Sequence, residues 1–82
     1  MFEARVFVSP KEGILDPQGN AVASALQSLG YTNTAHVRVG KYITLTVDAA
    51  TEAEATKELK EMCDKLLTNP LIEQYRFELQ RQ

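Results

Sequence analysis

Residues able to carry chemistry are few and scattered in this chain of 82 residues. Cys63 is the only thiol and His36 the only imidazole. Nucleophilic catalysis through Cys63 would need a base and an electropositive, accessible setting. The thiol instead falls between Met62 and Asp64 on the apolar stripe of a helix, which reads as core packing. His36 has no second histidine for a metal site and no triad partners, so a surface or interface role is expected of it. Glu52, Glu54, Glu58 and Glu61 are interleaved with Lys57, Lys60 and Lys65 at four-residue spacing, the pattern of a solvated helix face rather than of a desolvated acid/base pair. Gly13 and Gly19 flank a helix start, but the chain has neither a G-x-x-x-x-G-K-[ST] run nor a G-x-G-x-x-G after a strand, so turn geometry is preferred to phosphate binding. Arg38 and Lys41 flank Gly40, placed either to meet an acidic partner or to guard a strand edge. No active site assembles from these groups.

The elements that must position them follow from periodicity. Phe2, Ala4, Val6 and Val8 alternate with Glu3, Arg5 and Phe7, giving a strand that Ser9-Pro10 ends. Asp16 caps a helix from Pro17 to about Leu29, with proline at the first helical position and Gly30 closing the end in a left-handed conformation. Its apolar face is Val22, Ala25, Leu26 and Leu29. From about Ala35 to Asp48, the residues Val37, Val39, Ile43, Leu45 and Val47 keep one parity across Gly40, which favours a long strand bent at Gly40 over a hairpin turning there. Thr51 and Glu54 form a capping-box pattern, and Ala55, Leu59, Met62, Cys63 and Leu66 make the buried stripe of a second helix, stopped by Asn69-Pro70. Tyr75, Phe77 and Leu79 alternate as a last strand.

The expected fold class is α+β: one domain over 1–82, a two-layer sandwich of an antiparallel sheet with both helices on one face. Phe7, Tyr42, Thr44 and Thr46 would lie on the other face, open to sheet packing or edge pairing between protomers. A chain this short buries only about 60 to 65% of its unfolded surface, so association would help it. The net charge of −2, with basic residues dispersed among acidic ones, argues against nucleic acid as a partner. No long apolar run suggests a signal peptide or a membrane span, and a lone thiol suits a reducing compartment, so a cytoplasmic location is expected.

Four segments carry a family resemblance: Leu15-Asp16-Pro17-Gln18-Gly19 within the run from Gly13 to Val22, Ser28-Leu29-Gly30-Tyr31, Val37-Arg38-Val39-Gly40-Lys41-Tyr42, and Cys63-Asp64-Lys65-Leu66-Leu67-Thr68-Asn69-Pro70. In this order and spacing the chain resembles the PurS family, the small subunit of phosphoribosylformylglycinamidine synthase. Only Ser9-Pro10 departs from the family's usual strand exit. The resemblance implies a non-catalytic subunit of an ATP- and glutamine-dependent ligase complex of purine biosynthesis. Such a subunit forms a homodimer or higher oligomer, bridges a large synthase subunit and a glutaminase subunit, and supports ammonia transfer between them. It would bind no cofactor or metal itself, ATP and magnesium belonging to the large subunit. Partner contacts are expected first at Leu15, Asp16, Pro17, Gln18 and Gly19, and at Arg38, Gly40, Lys41 and Tyr42. The competing readings are an ACT-like regulatory domain that holds a small molecule at a subunit interface, and a small ferredoxin-like enzyme such as an acylphosphatase. The arginine-containing phosphate loop of an acylphosphatase is absent between Ser9 and Asp16.

Overall fold

A computed structural model describes all 82 residues. Strand β1 (Phe2–Pro10) lies at the centre of a three-stranded antiparallel sheet, between β2 (Lys41–Val47) and β3 (Glu73–Arg81). Its alternation puts Phe2, Ala4, Val6 and Val8 on one face, all buried. The register sets Ala4 between Leu45 and Leu79, and Val6 between Ile43 and Phe77. Helix α2 (Glu52–Met62) covers this face with Ala55 and Leu59, and Cys63 follows just beyond it. Thr51 caps α2 by accepting a hydrogen bond from the Glu54 N–H at 3.2 Å. No helix is long and apolar enough to cross a membrane.

The α+β class, the antiparallel sheet and the three strand faces are as expected from the sequence, and three local features differ. The strand expected from Ala35 begins only at Lys41, with neither a bend nor a hairpin at Gly40. Continuing the ladder past Val8 opposite Lys41 would bring Val39 opposite Pro10, which has no N–H to give. Residues 35–40 instead run as an irregular segment in which His36 has a φ of 58°. Gly40 has no positive φ either; a Cβ there would strike the carbonyl oxygen of Val8, so close approach of two backbones is what requires glycine.

The second helix changes its winding at Cys63. Residues Cys63–Leu67 form a π-helical turn, closed by the Thr68 N–H donating to the Cys63 carbonyl at 3.0 Å. The added residue per turn swings Leu66 out to 83% exposure and turns Leu67 partly inward, so the expected buried stripe ends one residue later. Of the four-residue pairs this face offers, Lys57 with Glu61, Lys60 with Asp64 and Glu61 with Lys65, none forms a salt bridge, and the π-turn takes Asp64 out of phase with Lys60. Asp64 accepts from the Tyr75 hydroxyl at 3.0 Å instead.

Helix α1 (Pro17–Ser28) is the largest departure from two helices on one sheet face. Gly19 is its only buried residue, and the helix stands off the sheet of its own chain. The molecule is drawn out to 51 × 26 × 14 Å with a radius of gyration of 16.2 Å, against about 12 Å for a close-packed domain of this length. The helix end itself forms as anticipated: Gly30 has a φ of 97°, the Tyr31 N–H donates to the Leu26 carbonyl at 2.9 Å, and the Gly30 N–H donates to Gln27 at 3.0 Å.

Candidate functional site

Asp16 organises the region that the sequence marks first. One carboxylate oxygen accepts the Gly19 N–H at 2.9 Å, which caps α1, and the other accepts the Val39 N–H at 3.0 Å from a segment 23 residues away. Pro17 occupies the first helical position. Gly19 is required here because a Cβ would lie 2.5 Å from both the Asp16 carboxylate and the Val37 carbonyl oxygen. The N–H groups of Gly19 and Val39, in that order of effect, hold the Asp16 carboxyl below its ordinary pKa, with a smaller contribution from the Arg38 charge.

Arg38 completes the tie. Its guanidinium donates to the Pro10 carbonyl and to the Lys11 carbonyl at 2.8 Å, and it lies 3.4 Å from the Glu12 carboxylate. The strand exit, the start of α1 and the segment before β2 are thereby joined by one carboxylate and one guanidinium. A shallow groove of about 320 Å³ opens beside them, bounded by Ile14, Leu15, Asp16, Asn20, His36 and Arg38. Leu15 projects from it at 76% exposure, and Gln18 is exposed beside it.

The other residues singled out from the sequence lie apart from this tie. Lys41 reaches the Leu67 carbonyl at 3.3 Å and the Glu73 carboxylate at 3.6 Å, linking the start of β2 to the start of β3. Tyr42 lies on the outer sheet face, where its ring stacks on Phe7 at 5.1 Å and Arg76 covers the other partner at 4.0 Å from the Phe7 centroid. Sequence reasoning marks Phe7 and Tyr42 as outer-face residues but misses Arg76, which only the β1–β3 register brings to Phe7. It also misses the Val39 N–H as a partner of Asp16, for which no local signal exists.

The remaining reactive groups are not gathered. Cys63 is fully buried, and burial, followed by the nearby Asp64 charge, pushes its thiol pKa up, away from the thiolate a nucleophile needs. No three His, Cys, Asp or Glu side chains stand close enough to hold a metal ion. The polar groups of the site bind the chain's own backbone, and what faces outward is an unseated helix, an exposed leucine and an aromatic-cationic patch.

The fold and this site define a small α+β domain with an outstanding helix, an exposed leucine and an aromatic-cationic patch on its surface. A family model described as PurS, phosphoribosylformylglycinamidine (FGAM) synthase, matches residues 3–81. The chain belongs to the PurS family and is a subunit of FGAM synthase, an enzyme of purine biosynthesis. It is 49% identical over 78 residues to the Synechocystis synthase subunit PurS, covering 95% of this chain and 78% of that protein. To the Bacillus subtilis subunit PurS it is 46% identical over 80 residues, covering 98% and 94%. Among solved structures, B. subtilis PurS superposes with a TM-score of 0.86 at 45% identity over 99% of this chain and 100% of that one. A chain of the PurLQS structure from Thermotoga maritima superposes with a TM-score of 0.87 at 28% identity over 96% of each chain.

Proposed function

We propose that this chain bridges the ATP-dependent synthase subunit and the glutaminase subunit of the complex and supports the passage of ammonia between them. The carrying observation is how its polar groups are used. Asp16, Arg38 and Lys41 are committed to internal backbone and carboxylate partners, while Leu15, Gln18 and α1 face outward from the frame they fix. A rigid loop cluster displaying apolar surface suits a protein contact. The likeness to a chain of the T. maritima PurLQS structure supports the same reading.

Such a bridge has a chemical reason. Ammonia freed into water becomes largely ammonium, which has no lone pair for attack on an activated amide carbon, and the remainder diffuses away. Holding the two catalytic subunits together retains the nucleophile, so this chain contributes position and water exclusion. In this reading it acts in the cytoplasm as a homodimer or higher oligomer, without nucleic acid or membrane. It binds no cofactor itself, and ATP and magnesium are held by the large subunit. Leu15 to Gly19 and Arg38 to Tyr42 supply partner contacts, Asp16, Gly19, Arg38 and Gly40 by shaping the loops and Leu15, Gln18 and Tyr42 by touching the partner.

The test compares synthase turnover by the purified large and glutaminase subunits with and without this chain, driven by glutamine in one series and by ammonium salt in the other. A requirement for the chain in the glutamine series alone is expected. Equal rates with and without it in both series would overturn the proposal.

A further inference from the structure

The outer face of the sheet changes character along its length. Register places Tyr42, Phe7 and Arg76 side by side across β2, β1 and β3, with Ser9 and Gln74 beside them at the loop end. Toward the other end the rows are Thr44, Arg5 and Glu78, then Thr46, Glu3 and Gln80. Two guanidiniums therefore stand on this face, and they are held differently. Arg5 is closed by the Glu3 carboxylate at 2.7 Å. Arg76 lies 4.0 Å from the centroid of the Phe7 ring, and its side chain is 68% exposed. Its one carboxylate neighbour, Glu78, stays 3.7 Å off, which leaves the hydrogen bonds of the fork unmade.

Phe7 is in turn braced by the Tyr42 ring at 5.1 Å, so the guanidinium rests on an aromatic shelf that orients it. Arg76 carries the only charge in the two rows at this end. The other polar groups there, the hydroxyls of Tyr42 and Ser9 and the Gln74 amide, can all donate, and Gln74 reaches the Ser9 hydroxyl only at 3.4 Å. A shallow hollow of about 340 Å³ opens among Phe7, Ser9, Gln74, Tyr75 and Arg76. A cationic fork flanked by neutral donors matches a carboxylate.

We propose that Arg76 is the seat for an aspartate or glutamate side chain on a catalytic subunit of the synthase, with Phe7 holding the guanidinium and Tyr42 and Gln74 closing the contact around it. The hollow is too shallow to bury most of a free small acid, as a small-molecule site must. A carboxylate standing on a protein surface brings the surrounding area with it, and an exposed tyrosine beside a stacked arginine has the composition of an interface anchor. The outer face of a second copy has no free carboxylate to give, because Glu3 and Glu78 each stand beside an arginine of their own chain. The inference rests on the bridging function proposed above and adds the chemistry of one contact.

The test titrates the full chain calorimetrically into the purified large subunit, into the glutaminase subunit and into the two mixed. Arg76→Glu should weaken binding to at least one of them by ~100-fold or more. Arg76→Lys, which keeps the charge but loses the planar fork and its stacking, should weaken it by about 10-fold. Arg5→Gln, on the same face but already paired, should change it by less than about 5-fold. Both side chains are exposed, so circular dichroism should be unchanged; if Arg76→Glu does not fold, Arg76→Lys decides. Native affinity in the Arg76 variants, or a loss from Arg5→Gln as large as theirs, would overturn the inference and leave the bridge standing. A change in the sedimentation mass of the isolated chain with subunit binding intact would also overturn it, giving this face to a second copy. A native chain that binds neither subunit, alone or mixed, would overturn the bridge and the inference together.

Discussion

The carboxylate of Asp16 accepts the backbone N–H of Val39 at 3.0 Å with one oxygen while its other oxygen caps α1 through Gly19 at 2.9 Å. One side chain therefore fixes both where the helix starts and where the segment leading to β2 lies.

Because these two N–H donors lower the Asp16 pKa in the folded chain, the sign of the pH effect is determined. Its contribution is fully present above the ordinary carboxyl value and is lost as the pH falls through the lowered one. Asp16→Asn should lower the melting temperature at neutral pH and flatten its decline in acid. Melting curves from pH 2 to 7 for both proteins check this, and parallel declines would contradict it.

Gly40→Val is expected to destabilise the chain by about 1–3 kcal/mol, the usual cost of forcing atoms into packed space. The cause is contact with the Val8 carbonyl rather than a left-handed backbone. Gly40→Ala should therefore be harmful as well, since its Cβ alone makes the clash. Urea unfolding of both variants is the measurement.

Leu59 in α2 is fully buried under the sheet while Leu66, seven residues on and inside the π-helical turn, is 83% exposed. Leu59→Ala should cost about 2–5 kcal/mol, and Leu66→Ser less than about 0.5 kcal/mol. Chemical denaturation of the pair checks this, because an unbroken α-helix would turn Leu66 onto the buried stripe and make its substitution costly.

Thr68 is 5% exposed and its hydroxyl has no hydrogen-bond partner within the protein. Its extended backbone, with φ −128° and ψ 139°, suits a β-branched residue. Thr68→Val should be neutral or stabilising by about 1 kcal/mol, because it removes a buried polar atom at nearly constant shape. A loss of stability in urea would show that the hydroxyl is satisfied in solution.

The Cys63 thiol is held protonated by burial and then by Asp64, and the Tyr75 hydroxyl is raised first by burial and then by its bond to Asp64. An acid whose folded pKa is raised ionises first in the unfolded chain, so stability is intact below the ordinary thiol range and falls as the pH climbs past it. Cys63→Ala should shallow the alkaline limb of a melting-temperature profile from pH 7 to 10.5. The native thiol should also react with a disulfide reagent far more slowly than it does in urea.

The strands β1 and β3, the helix caps at Asp16 and Thr51, the closure at Gly30 and the run of family segments are legible in the sequence because each rests on interactions within a few residues or on a fixed period. The same holds for the poverty of catalytic groupings, since one thiol and one imidazole limit what any fold can assemble. Tertiary structure alone decided three things. Continuing the register of β1 with β2 past Val8 and Lys41 would bring Val39 opposite Pro10, which has no N–H to give, and this, with Asp16 taking the Val39 N–H, shortens the strand that parity extended to Ala35. The π-turn at Cys63 has no periodic signature in a stripe already apolar at both Leu66 and Leu67, so packing under the sheet chooses between them. The direction of α1 is set by contacts 23 or more residues apart at Asp16 and Arg38. An amphipathic pattern states that a helix has a face to bury and is silent on whose surface buries it.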